Sequence, residues 1–174
     1  MTARVAERFI WAVEVLDPQP ANRLLEIGCG QGVAVSLICK TLSGGSIVAI
    51  DRSQAMIDRA KRRNREYVDD GTARFQTVAL KDADFGDARF DKVFAVNVRL
   101  FAADAEDEAS ALRRALEPSG ALYLVQQHPS AGRTSAATEE LKVGLRRNGF
   151  SIREERSKGA DASALTCIVA GGWS

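Results

Sequence analysis

Apolar residues in the first 40 positions recur first at helical spacing and then in a short continuous run. The helical pattern covers residues 5–16 and stops at Asp17-Pro18. A five-residue run, 23–27, follows and ends in a cluster of glycines, after which Val33, Leu37 and Ile38 resume helical spacing. This order predicts an opening amphipathic helix, then a strand, a glycine turn and a second helix.

The same alternation of strand-like and helix-like patterns continues along the chain. Residues 46–50 predict a second strand, and residues 51–68 predict one crossover helix. Further strands are predicted at 74–78, 92–96 and 121–125, with an alanine-rich helix at 105–116. Alternating elements of this kind predict an α/β fold, a Rossmann-like doubly wound and mostly parallel sheet with helices on both faces.

The last third of the chain changes pattern. Residues 139–147 predict a helix, Gly149-Phe150 opens a strand to residue 154, and residues 165–170 predict its antiparallel hairpin partner. The polar stretch 126–138 predicts the longest loop of the protein. Because loops at strand ends commonly meet substrates, we expect this loop to take part in substrate binding.

Length, charge and cysteine content limit the number of domains, the kind of partner and the location that we expect for the protein. The 174 residues, 45% of them hydrophobic, predict a single domain over 1–174, with one N-terminal helix in 1–20 and no separate lid or substrate domain. A net charge of +1 disfavours nucleic acid as a partner. The three cysteines lack metal-ligand spacing, so we expect no metal site. The sequence shows neither a membrane span nor a signal peptide, which predicts a cytoplasmic protein.

The glycine turn carries the most specific chemistry. In Glu26-Ile27-Gly28-Cys29-Gly30-Gln31-Gly32 the glycines let the backbone turn tightly and approach a ligand. A dinucleotide-binding turn has a further glycine where this chain has Val33, and the Glu26 carboxylate would repel a pyrophosphate. The same carboxylate suits an ammonium group. Nineteen residues after Gly32, Asp51 stands where an acid at the tip of a second strand meets a ribose.

These segments resemble the motifs of class I S-adenosylmethionine-dependent methyltransferases. Residues 24–32 resemble the first motif, residues 50–57 the second, and residues 90–98 and 116–125 the fourth and fifth strands. The resemblance implies a seven-stranded sheet whose last strand is antiparallel, with S-adenosylmethionine as cofactor and S-adenosylhomocysteine as product. It implies a cofactor site formed by Glu26, Gly28, Cys29, Gly30, Gly32, Asp51, Arg52, Ala79, Leu80 and Asn97.

Two departures from the family pattern bear on activity. In the family an acid commonly faces the adenine amino group, and the corresponding position in this chain is Ala79. Asp82 or Asp84 replaces that acid only if the loop is shifted. Asn97 is followed by Val98-Arg99 instead of the Pro-Pro-aromatic signature of enzymes that methylate exocyclic amines or glutamine amides. The second departure disfavours those acceptors.

The sequence therefore favours methyl transfer to an O, N or C nucleophile of a small molecule. His128, the only histidine, follows the fifth strand and is the candidate general base. Two alternatives stay open, namely a non-catalytic domain that binds S-adenosylmethionine or a partner, and a nicotinamide-dependent oxidoreductase. Because the N-terminal segment carries at most one helix, we expect a cleft that is open or completed by a second subunit of a homo-oligomer.

Overall fold

Seven strands of the described chain form one sheet. The computed structural model describes residues 5–101, 105–127, 131–159 and 164–173. The strands are β1 (Arg23–Ile27), β2 (Ser46–Asp51), β3 (Ala73–Thr77), β4 (Phe90–Val96), β5 (Leu116–Gln127), β6 (Phe150–Lys158) and β7 (Leu165–Trp173).

The sheet has the order β3-β2-β1-β4-β5-β7-β6. Strands β1 to β5 pair in parallel, whereas β7 lies antiparallel between β5 and β6. From β1 the chain first builds outward through β2 and β3 and then returns to the other side with β4. This reversal opens a crevice at the carboxyl ends of β1 and β4, where doubly wound sheets bind ligands. The predicted fold class is confirmed.

Helices cover both faces of the sheet. They are α1 (Glu7–Leu16), α2 (Val33–Ile38), α3 (Gln54–Arg63), α4 (Arg65–Asp69), α5 (Glu106–Ala115) and α6 (Ala131–Arg147), with a 3₁₀ turn at Leu80–Asp82. Apolar residues of α1, α2 and α3 share one buried cluster with one face of the sheet, and those of α5 and α6 share a second cluster with the other face. None of these helices combines the length and apolar character needed to cross a bilayer.

The single helix predicted for 51–68 is wrong, because Asn64 divides it into α3 and α4. The Asn64 side chain is fully buried, and its amide donates to the carbonyls of Gly32 (3.0 Å) and Ala60 (2.9 Å). Its oxygen accepts the Ser36 hydroxyl at 2.7 Å. Asparagine bonds of this kind compete with helical backbone bonds, and they attach the break to the glycine turn.

Two predictions in the last third also need correction. The stretch 126–138, predicted as a loop, contains the start of α6 at Ala131. Its small and polar residues give no apolar helical pattern, although the helix continues to the buried residues Leu141 and Leu145. Strand β6 continues to Lys158, four residues past its predicted end. Its last residues are charged and exposed, as suits an edge strand that blocks pairing with other chains.

Candidate functional site

The glycine turn that follows β1 requires glycine where its neighbours approach closely. Gly28 has φ +68°, and a Cβ there would lie 2.5 Å from the Cγ2 atom of Val98. Gly32, at the start of α2, has φ +70°, and a Cβ there would lie 2.6 Å from the Asn64 amide nitrogen. Side chains at these positions would combine steric overlap with a strained backbone. The turn therefore brings bare backbone to the carboxyl end of β1.

Asp51, at the end of β2, holds this turn in place. One carboxylate oxygen accepts the N–H of Gly30 at 2.9 Å, and the other accepts the N–H of Ser53 at 2.9 Å. The carbonyl of Ile50 accepts the N–H groups of Gly28 and Cys29. Each carboxylate oxygen has a second lone pair, so Asp51 keeps the capacity to accept two more hydrogen bonds. Ser53, not Asp51, is the N-cap of α3.

Glu26 lies directly beneath the turn as a buried, unsatisfied acid. Its side chain is 1% exposed, and within the described residues its Oε2 atom has no hydrogen-bond partner. Burial, followed by the negative charge of Asp51, raises the pKa of Glu26 from 4.5 to about 8. An unpaired buried acid costs free energy, which a cationic or donor-rich ligand would recover.

A cleft of about 490 Å³, the strand-end cleft, opens beside these groups at the carboxyl ends of β1, β2 and β4. Its floor includes Ile27, Gly28, Ile50 and Asp51. Its walls are residues 78–81 after β3, residues 97–100 after β4, Arg52, and Glu108 of α5. Carboxylate, guanidinium, amide and apolar surfaces thus converge on one concave site, which is the usual character of a small-molecule site.

A second pocket of about 460 Å³, the adjoining pocket, shares residues 97–100 with the strand-end cleft. Its other lining residues come from the end of β5, from Phe101 and from α6. Gln126 and Gln127 contribute amide groups and Leu141 an apolar surface. The two cavities are therefore immediate neighbours, with residues 97–100 at their common boundary.

The common wall is held at both ends. Asn97 has φ +57°, its N–H donates to the Val125 carbonyl at 2.8 Å, and its side-chain oxygen accepts the Gln127 N–H at 2.7 Å. Phe101 has φ +59°, and its N–H donates to the Glu108 carboxylate at 3.3 Å. Non-glycine residues at positive φ are uncommon and concentrate at ligand sites.

The structure brings six of the residues predicted to bind cofactor into the lining of the strand-end cleft. They are Gly28, Asp51, Arg52, Ala79, Leu80 and Asn97. The other four lie beneath or beside it: Glu26 and Cys29 have buried side chains, Gly30 bonds Asp51, and Gly32 packs against Asn64. The Cys29 side chain belongs to the buried core, and this burial raises the pKa of its thiol.

The acid missing from position 79 is not replaced from the following loop. Ala79 itself lines the strand-end cleft, whereas Asp82 pairs with Lys81 and the Asp84 carboxylate accepts the N–H of Gly86. Both aspartates are exposed, and neither lines the cleft. A shifted loop is therefore not what this structure shows. His128 lies outside the described residues.

Sequence reasoning missed part of the site. Residues 98–100 follow β4, and the strand-end rule alone could have placed them in the site. Glu108 comes from α5 and carries no local signal, because its contact with Phe101 depends on how the helix packs. In the sequence, Asn64 has the character of an ordinary polar helix residue. Its support of the glycine turn, through the bond to the Gly32 carbonyl, is visible only in the structure.

Sequence comparison gives a family match and two informative relatives. A family model described as "Methyltransferase domain" matches residues 24–120. A putative methyltransferase, YrhH of Bacillus subtilis (strain 168), is 30% identical over 112 residues, which cover 64% of this chain and 61% of that protein. An uncharacterized 37.1 kDa protein in transposon TN4556 of Streptomyces fradiae is 28% identical over 169 residues, which cover 90% and 48%.

The chain spans about half the length of the curated relatives that it matches. Structural comparison extends the likeness to nearly the whole chain. A SAM-dependent methyltransferase from Aquifex aeolicus superposes with a TM-score of 0.78 at 14% identity, over 93% of this chain and 88% of that one. At this identity the likeness describes the fold.

Proposed function

The chain belongs to the methyltransferase-domain family of class I S-adenosylmethionine-dependent methyltransferases, and we propose that it binds S-adenosylmethionine in the strand-end cleft and transfers its methyl group to a small molecule. The family match covers β1 to the start of β5, the part of the chain that builds the cleft. When bound, S-adenosylmethionine supplies a methyl group on a positively charged sulfur.

The observation that carries this proposal is the pairing of a bare glycine turn with two acids at one strand edge. Glu26 is buried with an unpartnered oxygen beneath the turn, and the ammonium of a methionyl group would be its complement. A pyrophosphate at the turn would instead meet the Asp51 carboxylate, and Glu26 would offer it no positive charge. The acids at the glycine turn therefore favour a methionyl ammonium at that point over the pyrophosphate of a nicotinamide dinucleotide.

Asp51 is suited to hold the ribose. Its two backbone bonds fix the carboxylate plane, and Asp51 lines the strand-end cleft with lone pairs left to accept further donors. Two ribose hydroxyls would supply two charge-assisted hydrogen bonds, which are stronger than neutral ones. Ala79 and Leu80 would then border the adenine, with no carboxylate for its amino group at position 79.

The adjoining pocket is our proposed site for the methyl acceptor. Its volume of about 460 Å³ suits a small molecule, and residues 97–100 place it next to the strand-end cleft. Methyl transfer proceeds by in-line displacement, so its rate depends largely on how donor and acceptor are positioned. His128 stays a proposed general base for acceptors that must lose a proton.

Transfer of label tests this function. S-adenosylmethionine labelled in its methyl group is incubated with the protein and pooled small-molecule acceptors, and products are resolved by chromatography and mass spectrometry. We expect labelled product from the wild type. At a cofactor concentration below saturation, Asp51→Ala should form at least about 30-fold less of this product.

A second outcome would assign the chain to a different class. If S-adenosylhomocysteine binds tightly but no acceptor pool gains label, the chain is a binding module instead of an enzyme. If label is transferred, the variant His128→Ala tests the general base. Turnover within about twofold of wild type would show that positioning alone is sufficient, whereas a loss of roughly 100-fold or more matches general-base catalysis.

A further inference from the structure

The wall between the two sites carries a charged group that the proposed function does not yet use. Arg99 lines the strand-end cleft, the adjoining pocket, and a groove of about 690 Å³ between α5 and α6, here called the helical groove. Its side chain is exposed, and within the part of the chain that the structure describes no hydrogen bond or ion pair engages its guanidinium.

The other cations near these sites differ from Arg99. Lys81 and Arg52 line the strand-end cleft but not the adjoining pocket, and Lys81 is already paired with Asp82. Arg147 lines only the helical groove. Among the described residues, Arg99 is thus the cation that both the strand-end cleft and the adjoining pocket share.

From this position we propose that the methyl acceptor is a carboxylic acid, whose carboxylate Arg99 binds at the boundary of the two sites; the inference rests on the proposed function. A guanidinium offers a planar fork of N–H donors that matches a carboxylate in two parallel hydrogen bonds. Asn97, on the same wall, adds an amide group beside it.

The acid of the adjoining pocket orients such a ligand. Glu140, on α6, lines the adjoining pocket and the helical groove but not the strand-end cleft. Its negative charge repels a carboxylate from the α6 side, while Arg99 attracts it to the side shared with the cofactor. Of these two side chains only Arg99 also lines the strand-end cleft, so its attraction draws the anionic end of the acceptor toward the methyl donor and leaves the apolar remainder near Leu141.

The fixed ends of the wall support this role. The Asn97 bond to Gln127 and the Phe101 bond to Glu108 hold the segment between them, and Gly144 of α6 packs closely against the Phe101 backbone. A Cβ at position 144 would lie 2.8 Å from the Phe101 carbonyl oxygen. Arg99 therefore projects from a backbone whose position is set before a ligand arrives, which favours binding.

The reaction that this placement predicts is formation of a methyl ester. A carboxylate oxygen forms the new O–CH₃ bond while the S–CH₃ bond breaks, and the electron pair of that bond stays on sulfur. A sulfonium and a carboxylate become a neutral thioether and a neutral ester, so no proton has to be removed.

Matched probes test the inference. Labelled S-adenosylmethionine is supplied with benzoate, phenylacetate and octanoate, and in parallel with benzyl alcohol and benzylamine. Alkali releases labelled methanol from methyl esters but not from methyl ethers or methylamines. We expect alkali-labile label with at least one carboxylate, a loss of about 10-fold to 100-fold in kcat/KM for Arg99→Gln, and partial recovery for Arg99→Lys. Arg147→Gln is the control and should match the wild type.

Calorimetry with S-adenosylhomocysteine distinguishes a failure of this inference from a failure of the proposed function. If the wild type does not bind S-adenosylhomocysteine, the proposed function fails. If it binds, but no carboxylate gains label or Arg99→Gln methylates the probes as well as the wild type, the carboxylate inference is overturned and the proposed cofactor site stands. A loss in acceptor kcat/KM that exceeds any loss in S-adenosylhomocysteine affinity supports it.

Discussion

At the scale of single residues, Glu26 and Asp51 show how one strand edge holds two acids in different surroundings. Asp51 is partly buried and accepts two backbone N–H groups, whereas Glu26 is buried with a free oxygen. Asp51 keeps lone pairs for further donors. Burial raises the pKa of Glu26 to about 8, so Glu26 is mostly protonated at neutral pH in the free protein.

The role of Asp51 predicts a specific loss of affinity. Asp51→Ala should weaken S-adenosylhomocysteine binding about 30-fold to 1000-fold, because two bonds to a charged group contribute roughly 2 to 4 kcal/mol. It should also lower stability by about 1 to 3 kcal/mol, since the N–H groups of Gly30 and Ser53 lose their acceptor. Calorimetry and urea unfolding measure the two effects.

Asp84→Ala is the matched control, because Asp84 is an exposed aspartate that also accepts a backbone N–H but does not line the cleft. Its affinity should equal that of the wild type. An Asp51→Ala protein that stays folded and binds with wild-type affinity would show that Asp51 serves only the turn.

The raised pKa of Glu26 predicts a pH-dependent stability with a definite sign. Below pH 4.5 the carboxyl is protonated in both folded and unfolded chains, and it carries no penalty. Between pH 4.5 and about 8 the unfolded chain loses this proton while the folded chain keeps it, so the free energy of unfolding falls with rising pH, by roughly 3 to 5 kcal/mol in total.

Glu26→Gln removes this titration. In the free protein the variant should gain stability relative to the wild type as pH rises from 4.5 to 8, while it binds S-adenosylhomocysteine more weakly. Urea unfolding at a series of pH values gives the first result, and calorimetry at pH 7 gives the second. Equal pH profiles for variant and wild type would contradict a buried protonated Glu26.

At the scale of elements, the junction of α3 and α4 supports the glycine turn. Asn64→Ala removes two donations to carbonyls and one acceptance from Ser36 inside the core. We expect it to lower the free energy of unfolding by about 2 to 4 kcal/mol, because buried partners lose their hydrogen bonds. Ser36→Ala removes one of these bonds and should cost about 1 kcal/mol. Equal losses in the two variants would contradict the central position of Asn64.

Element boundaries show where sequence patterns succeed and where they do not. Strands β1 to β4 and helix α1 have continuous apolar runs or clear helical spacing, and the structure confirms them within two residues. The break at Asn64 and the start of α6 at Ala131 were not predictable from spacing, since each depends on contacts with distant elements. The charged half of β6 carries no apolar signal because it lies at the edge of the sheet.

At the scale of the whole molecule, topology assembles the site. The glycine turn, Asp51, Ala79 and Asn97 lie far apart in sequence but meet because parallel strands end at one edge. This part of the site was predictable, because strand ends are visible in the sequence. The adjoining pocket was predictable only in part: Gln126, Gln127 and Ala137 lie in the stretch expected to bind substrate, but the shape of the pocket depends on where α6 packs. That residues 1–174 form a single domain, and that the protein is cytoplasmic, stay predictions.

Binding of S-adenosylmethionine and its product in the strand-end cleft is tested by one calorimetric comparison. The protein is titrated with S-adenosylhomocysteine and, under the same conditions, with NAD and NADP. We expect saturable binding at one site per chain for S-adenosylhomocysteine and no comparable heat for either dinucleotide. Tighter binding of NAD or NADP, or no binding of S-adenosylhomocysteine by the folded protein, would contradict it.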